Sequence, residues 1–245
     1  MTPVPDRSAP RISAMFDEIA PRYDFLNHFL SAGIDRRWRK RAIRSLALSG
    51  REVVLDLCCG TCDLAIEAVR ATPRAARVLG VDFSPLMLKY GIDKLRRRRL
   101  DADIALVRGD ASIIPVADRS VDAITIGFGI RNVDDRAAAC REMLRVLKPG
   151  GRLAILDFGI PSSPMFRKLY LSYFRHVLPR LGRWISGSRT AYTYLPESVG
   201  AFETDAFMDL LRASGFVEVA ADPMMFASVF LYTARRDEPR YNPIK

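Results

Sequence analysis

The sequence predicts an α/β fold: an open, mostly parallel sheet with helices on both faces. Two observations predict it. The β-branched and apolar run Val53-Val54-Leu55-Asp56-Leu57 ends in a loop of small residues and passes into a helical pattern near Asp63. From 52 to 158, apolar runs of strand length then alternate with helical patterns, the signature of βαβ units.

The elements follow in order. Ile12, Met15, Phe16 and Ile19 recur at helical spacing until Pro21 interrupts them. Residues 11–48 read as two or three helices, placed to fold over the first loop as a lid. Strands are expected at 52–58, 77–82, 103–107, 121–127 and 152–158. Ser84-Pro85 opens a helix with a cap and a first-turn proline. Asp134-Asp135 opens another, with Cys140, Met143, Leu144 and Leu147 as its apolar stripe and Lys148-Pro149-Gly150-Gly151 as its stop. Residues 160–200 read as an insertion. There Phe166, Leu169, Tyr170, Tyr173, Phe174, Val177 and Leu178 form one face, interleaved with Arg167, Lys168, Arg175 and Arg180, and Trp184 follows. A helix near 203–214 and strands near 216–222 and 226–234 finish the sheet, and the ends 1–10 and 235–245 read as unstructured. The whole is one domain, 1–245: a lid at 11–50, a core at 51–158, the insertion at 160–200, and closing elements at 201–234.

Composition narrows the class. The 245 residues are 49% hydrophobic and 27% charged, as in globular proteins. No apolar run is long enough to span a bilayer, and Met1-Thr2-Pro3-Val4-Pro5-Asp6 has no signal-peptide core. A cytoplasmic protein is expected. The net charge of +10 points to an anionic partner, nucleic acid or membrane surface. The basic, aromatic stretch 163–185 has the pattern of a segment lying on an anionic membrane at its inner face, or walling an apolar pocket. Cys59 and Cys62 have dithiol spacing, but His28 and His176 are remote, so no metal is expected.

The loop after the first strand carries the chemistry. Val78-Leu79-Gly80-Val81-Asp82 places a second acid about 20 residues beyond it, where a βαβ unit presents a carboxylate to a ribose. NAD, FAD and S-adenosylmethionine share this spacing. A dinucleotide needs a glycine-rich turn for its pyrophosphate. Here Gly60 is the loop's one glycine, and Asp56 at its start would repel a phosphate. S-adenosylmethionine is a cation without phosphate and suits the site. Asp56, Gly60 and Asp82 are therefore cofactor-binding candidates, with Asp110, after the third strand, facing the adenine amino group.

At this point the chain resembles the ubiquinone/menaquinone biosynthesis C-methyltransferases from about residue 13 to 234. The likeness rests on Ala20-Pro21-Arg22-Tyr23-Asp24-Phe25-Leu26-Asn27, Leu30-Ser31-Ala32-Gly33 and Arg37-Trp38-Arg39. Val81-Asp82-Phe83-Ser84, Phe128-Gly129-Ile130-Arg131-Asn132, Leu156-Asp157-Phe158 and Tyr194-Leu195-Pro196-Glu197-Ser198 extend it. The resemblance implies a class I methyltransferase (Rossmann-like) fold: a seven-stranded sheet with a final antiparallel strand. It also implies methylation of a ring carbon of a polyprenyl quinol, with demethylmenaquinol favoured. By position, Thr61, Asp82, Asp110 and Ala111 match the family's cofactor-binding residues. Cys62 stands where glycine is common and Gly127 where relatives carry serine.

Carbon methylation needs an electron-rich ring, and a phenol with a pKa near ~10 pays about 4 kcal/mol to ionise at pH 7. Arg131, beyond the fourth strand, is placed to stabilise oxyanion charge, with Asn132 orienting the hydroxyl and Tyr23 reaching it from the lid. Two other function classes stay in view. An RNA methyltransferase would use the basic charge, but the segment after the fourth strand lacks an Asn/Asp-Pro-Pro-aromatic run and a nucleophilic cysteine, so no nucleic-acid partner is expected. A redox or ligand-binding module without catalysis is the other. Whether the chain pairs as a homodimer stays open.

Overall fold

The protein is described from a computed structural model covering residues 9–31, 33–161, 163–173 and 190–238. Three helices lead: α1 (Ala9–Ile19), α2 (Tyr23–Leu30) and α3 (Asp35–Ser45), with Pro21 in a 3₁₀ turn between the first two. The alternating part is β1 (Val53–Leu57), α4 (Asp63–Arg70), β2 (Arg77–Asp82), α5 (Pro85–Arg98), β3 (Ile104–Arg108), β4 (Val121–Gly127), α6 (Arg136–Val146) and β5 (Leu147–Phe158). Then come α7 (Pro164–Ser172), α8 (Thr190–Gly200), α9 (Thr204–Ala213), β6 (Phe216–Met224) and β7 (Val229–Arg236).

The sheet order is β3-β2-β1-β4-β5-β7-β6, with β7 antiparallel to both neighbours. This is the seven-stranded, mostly parallel α/β sheet the sequence implies. Its direction of winding reverses between β1 and β4, and ligands bind in such sheets at the carboxyl ends flanking that point. Near-continuous apolar strands suit burial on both faces. One core layer joins Trp38, Ile43, Leu64 and Leu95 to the sheet, and the other joins Met143, Phe207 and Leu211. A third cluster packs Ile12, Met15 and Ile19 against Met87 and Tyr194, which seats α1 over α5 and α8.

Local chemistry explains several boundaries. The Ser84 side chain accepts from the Met87 N–H at 3.1 Å, and the Asp135 side chain accepts from the Ala138 N–H at 2.8 Å. Each satisfies an otherwise orphaned donor at a helix start. Two boundaries differ from the sequence reading. Lys148-Pro149-Gly150-Gly151 lies inside β5 rather than at a helix end: Leu147 already pairs with Val121, and regular pairing resumes at Arg152 after an irregular step. The last strand starts at Val229 rather than 226, because Met225, Phe226 and Ala227 form a left-handed turn. It runs on through Arg236, whose guanidinium donates to the carbonyls of Leu144, Arg145 and Leu147. The proposed unstructured start at 1–8, the tail from 239, and residues 174–189 of the insertion lie outside the described residues.

Candidate active site

A cleft opens at the carboxyl ends of β1 and β4. The β1–β3 side supplies Leu57, Cys58, Gly60, Asp82, Phe83, Asp110 and Ala111, and α5 supplies Met87. The N-terminal helices supply Ile12, Phe16 and Tyr23, and the segment after β4 supplies Gly127, Phe128, Gly129 and Asn132. Asp82, Asp110, Asp134 and Asp135 are in its wall, and no lysine or arginine is among the described lining residues. That wall attracts a cation and repels a pyrophosphate. It fits S-adenosylmethionine and not a dinucleotide.

Asp82 is 6% exposed at the end of β2. Its Oδ2 accepts from the Gly60 N–H at 2.8 Å and its Oδ1 from the Ser84 N–H at 2.9 Å. The two bonds fix the direction of the carboxylate at the cleft wall. Burial raises its pKa to about 6. Asp110 sits at the cleft edge, its Oδ1 accepting from the Ser112 N–H at 2.7 Å. The loop between β1 and α4 turns through left-handed backbone at Cys58, Gly60 and Cys62, with φ of 53°, 52° and 71°. Cys62 thus adopts the conformation that the family's glycine would take without strain. At Gly127 a Cβ would lie 2.8 Å from Leu64 Cδ1, so a serine there requires the end of the Leu64 side chain to shift.

Asp56 does not line the cleft, contrary to its assignment as a cofactor ligand. It is 1% exposed, with Oδ2 accepting from the Ala65 N–H at 3.0 Å and Oδ1 from the Thr125 hydroxyl at 2.8 Å. Cys62 provides no side-chain cap to α4, and Asp56 substitutes for one from the neighbouring strand. It ties β1, β4 and α4 together at the point where the cleft opens. Burial raises its pKa to about 7. A carboxyl whose folded pKa lies above its unfolded value stabilises most at low pH, and that contribution is lost as pH rises through about 7. Asp56→Asn should therefore flatten the decline in Tm between about pH 5 and about pH 8. Thermal melts across that range check it, and an unchanged slope would contradict it.

Thr61 is also turned away from the cleft. Its hydroxyl donates to Asp24 Oδ1 at 2.5 Å and accepts from Lys94 Nζ at 3.1 Å. Lys94, 5% exposed, also donates to Asp24 at 2.6 Å and Asp63 at 2.8 Å. Arg39 joins Asp63 to Asp35 at 3.0 and 2.9 Å. This network fastens α2 and α3 to the cofactor loop, and its members escape sequence reasoning. The one available signal is a lysine on the buried stripe of α5, beside Gly91 and Leu95.

Arg131 differs from expectation too. It is 6% exposed and does not line the cleft. Its Nη1 donates to Asp157 Oδ1 at 2.7 Å and to the Phe128 carbonyl at 2.5 Å, and its backbone N–H donates to Asp157 Oδ2 at 3.1 Å. Its guanidinium carbon lies 5.1 Å from the centre of the Phe158 ring. Its charge is thus held one layer behind the wall, paired with a fully buried carboxylate. Asn132 and Tyr23 are brought together in the cleft. Asn132 Oδ1 is buried without a partner among the described residues. Burial raises the Tyr23 pKa, so its hydroxyl stays protonated at neutral pH.

Cys59 and Cys62 are buried free thiols. The hydrogen-bonded Cys62 thiol and burial push the Cys59 pKa well up, which suppresses the reactive thiolate. Among the described residues no cluster of side chains suits a metal ion.

The ubiE/COQ5 methyltransferase family matches residues 5–234. The ubiquinone/menaquinone biosynthesis C-methyltransferase UbiE of Geobacter sulfurreducens is 44% identical over 92% of this chain and 88% of its own. The demethylmenaquinone methyltransferase of Deinococcus radiodurans is 45% identical over 84% of each chain. Among solved structures, the [4+2]-cyclase SpnF superposes with a TM-score of 0.71 at 17% identity, covering 93% of this chain and 96% of its own, a likeness of fold. Sequence, sheet order and the cleft's acidic wall agree: the chain belongs to the ubiE/COQ5 methyltransferase family and is an S-adenosylmethionine-dependent methyltransferase.

Proposed function

We propose that the acceptor is a ring carbon of a polyprenylated quinol, with demethylmenaquinol as the preferred head group. The observation that carries this reading is the cleft's two-part lining. Acidic residues at Asp82 and Asp110 adjoin an aromatic part, Phe16, Tyr23, Phe83 and Phe128, which fits a flat ring. The unpartnered Asn132 Oδ1 offers an acceptor to the ring hydroxyl. Names of relatives support the same head group, two being demethylmenaquinone methyltransferases.

S-adenosylmethionine, when bound, supplies a methyl group on a sulfonium. The protein's own residues bind and orient the ring, whose displaced proton passes to solvent water. Asn132 orients the quinol hydroxyl. Tyr23, kept protonated, donates to the ring oxygen as negative charge develops there. The Arg131–Asp157 pair braces the Phe128–Asn132 segment, and the guanidinium's charge behind it favours the ionised ring. Phe16, Phe128 and the N-terminal helices keep bulk water from the sulfonium.

Asn132→Ala tests this arrangement. The loss of one neutral hydrogen bond to the acceptor should lower kcat about tenfold with a water-soluble, short-chain demethylmenaquinol. S-adenosylmethionine affinity should not change. Full turnover would remove Asn132 from the site.

The quinol's prenyl tail resides in a bilayer, so the enzyme meets it at a membrane surface. Arg167 and Lys168 are exposed on α7, in keeping with an anionic surface. Among the described residues no helix is long and apolar enough to cross a membrane.

A further inference from the structure

We infer that the β6–β7 tip and the start of α7 form a lipid-inserting wedge that seats the cleft on an anionic bilayer. The inference rests on the quinol reading for its purpose and on surface geometry for its residues. Phe226 is 72% exposed, Met165 82% and Met225 45%. Phe166 of α7 packs on Phe226 with ring centres 4.8 Å apart, so the exposed groups form one patch.

The turn that displays them is held firmly. Met225, Phe226 and Ala227 have φ of 47°, 57° and 65°, a run of left-handed backbone that glycine or asparagine would adopt at less cost. The Ser228 N–H and hydroxyl both donate to the Met225 carbonyl, at 3.2 and 2.8 Å. Met224 and Ala227 are buried on either side and anchor the turn. A strained turn that presents a phenylalanine and a methionine to solvent gains nothing for the fold itself.

The position fits a membrane contact. Val229 pairs with Phe158 at the carboxyl end of β5, so the tip projects from the same sheet edge as the cleft. Phe158 stacks at 4.6 Å on Phe128 of the cleft wall, continuing the apolar surface inward. The charge is complementary to anionic lipid. Arg41 of α3 pairs with Asp222 of β6, and the exposed Arg37 lies one turn nearer the tip on the same helix face. Arg167 and Lys168 are exposed on α7. Neither α7 nor residues 223–234 contain an acidic residue. Apolar insertion beside basic side chains is the pattern of an interfacial anchor, and its charged part weakens with salt.

Flotation with vesicles of phosphatidylcholine and phosphatidylglycerol in equal parts, against phosphatidylcholine alone, tests the wedge. The full chain should float with the mixed vesicles at low salt and less at high salt. Phe226→Ser and Met165→Ser should each weaken that binding about tenfold, the scale of one withdrawn apolar side chain. Tm and S-adenosylmethionine affinity should hold. Met225→Trp, which keeps the tip apolar, should show a blue shift beyond wild type when mixed vesicles are added. No flotation of the wild type, equal binding by the serine variants, or no shift would overturn the wedge. So would dimerisation that Phe226→Ser abolishes in the absence of vesicle binding, which would assign the patch to a second copy. The quinol reading fails separately, if the wild type leaves the short-chain quinol unmethylated in solution.

Discussion

Arg131→Met should destabilise the protein by about 3–5 kcal/mol, because it strands Asp157 as an unpaired buried charge. In a chain of this size that lowers Tm by about 6–20 °C. The double variant Arg131→Met with Asp157→Leu should recover most of the loss, since neither charge then remains to be compensated. Thermal melts of the single and double variants check this, and a single variant as stable as wild type would contradict it. Turnover separates the two roles of the pair. If the guanidinium favours the ionised ring, the double variant stays slow although it is stable. Recovery of turnover along with stability would make Arg131 purely structural.

Asp82→Ala should weaken S-adenosylmethionine binding by about 1.5–3 kcal/mol, roughly 10–150-fold, the cost of losing a charged acceptor. The carboxylate is nearly buried, and the N–H groups of Gly60 and Ser84 already fix its direction. No reorganisation is then needed to meet the ribose. Because burial lifts its pKa to about 6, the ionised acceptor is present above that pH and lost below it. Wild-type affinity should therefore fall as pH drops through about 6, and the alanine variant should lack that step. Calorimetric titration across this range decides, and unchanged affinity in the variant would contradict the assignment.

The central strands are legible because each holds a run of apolar, often β-branched residues that the sheet buries on both faces. Asp82 is legible because the second strand of a βαβ unit ends at a fixed place. Asp56 shows what spacing leaves out. Both acids lie in the first two strands and on the same face of the sheet, but Asp56 pairs with Gly80, two positions short of Asp82, which leaves it beneath the loop, toward Ala65 and Thr125. Arg131 and Asp157 belong to two recognisable motifs, yet nothing local reports that the chain folds to bring positions 26 apart within 2.7 Å of each other. Lys94 is hidden for the same reason: its partners Asp24, Thr61 and Asp63 lie 31 to 70 residues away. The Phe226 tip is obscured differently. Its apolar residues read as strand, and only backbone conformation separates a strand from a displayed turn.

Product analysis with a reduced quinol tests the central claim most directly. The purified protein, S-adenosylmethionine carrying an isotopic methyl group, and a short-chain demethylmenaquinol are incubated together, and the product is examined by mass spectrometry and proton NMR. One labelled methyl is expected on the ring carbon, with loss of the ring proton signal and both ring oxygens unmethylated. Label on an oxygen, or an unmodified quinol beside labelled RNA in a parallel incubation, would contradict it.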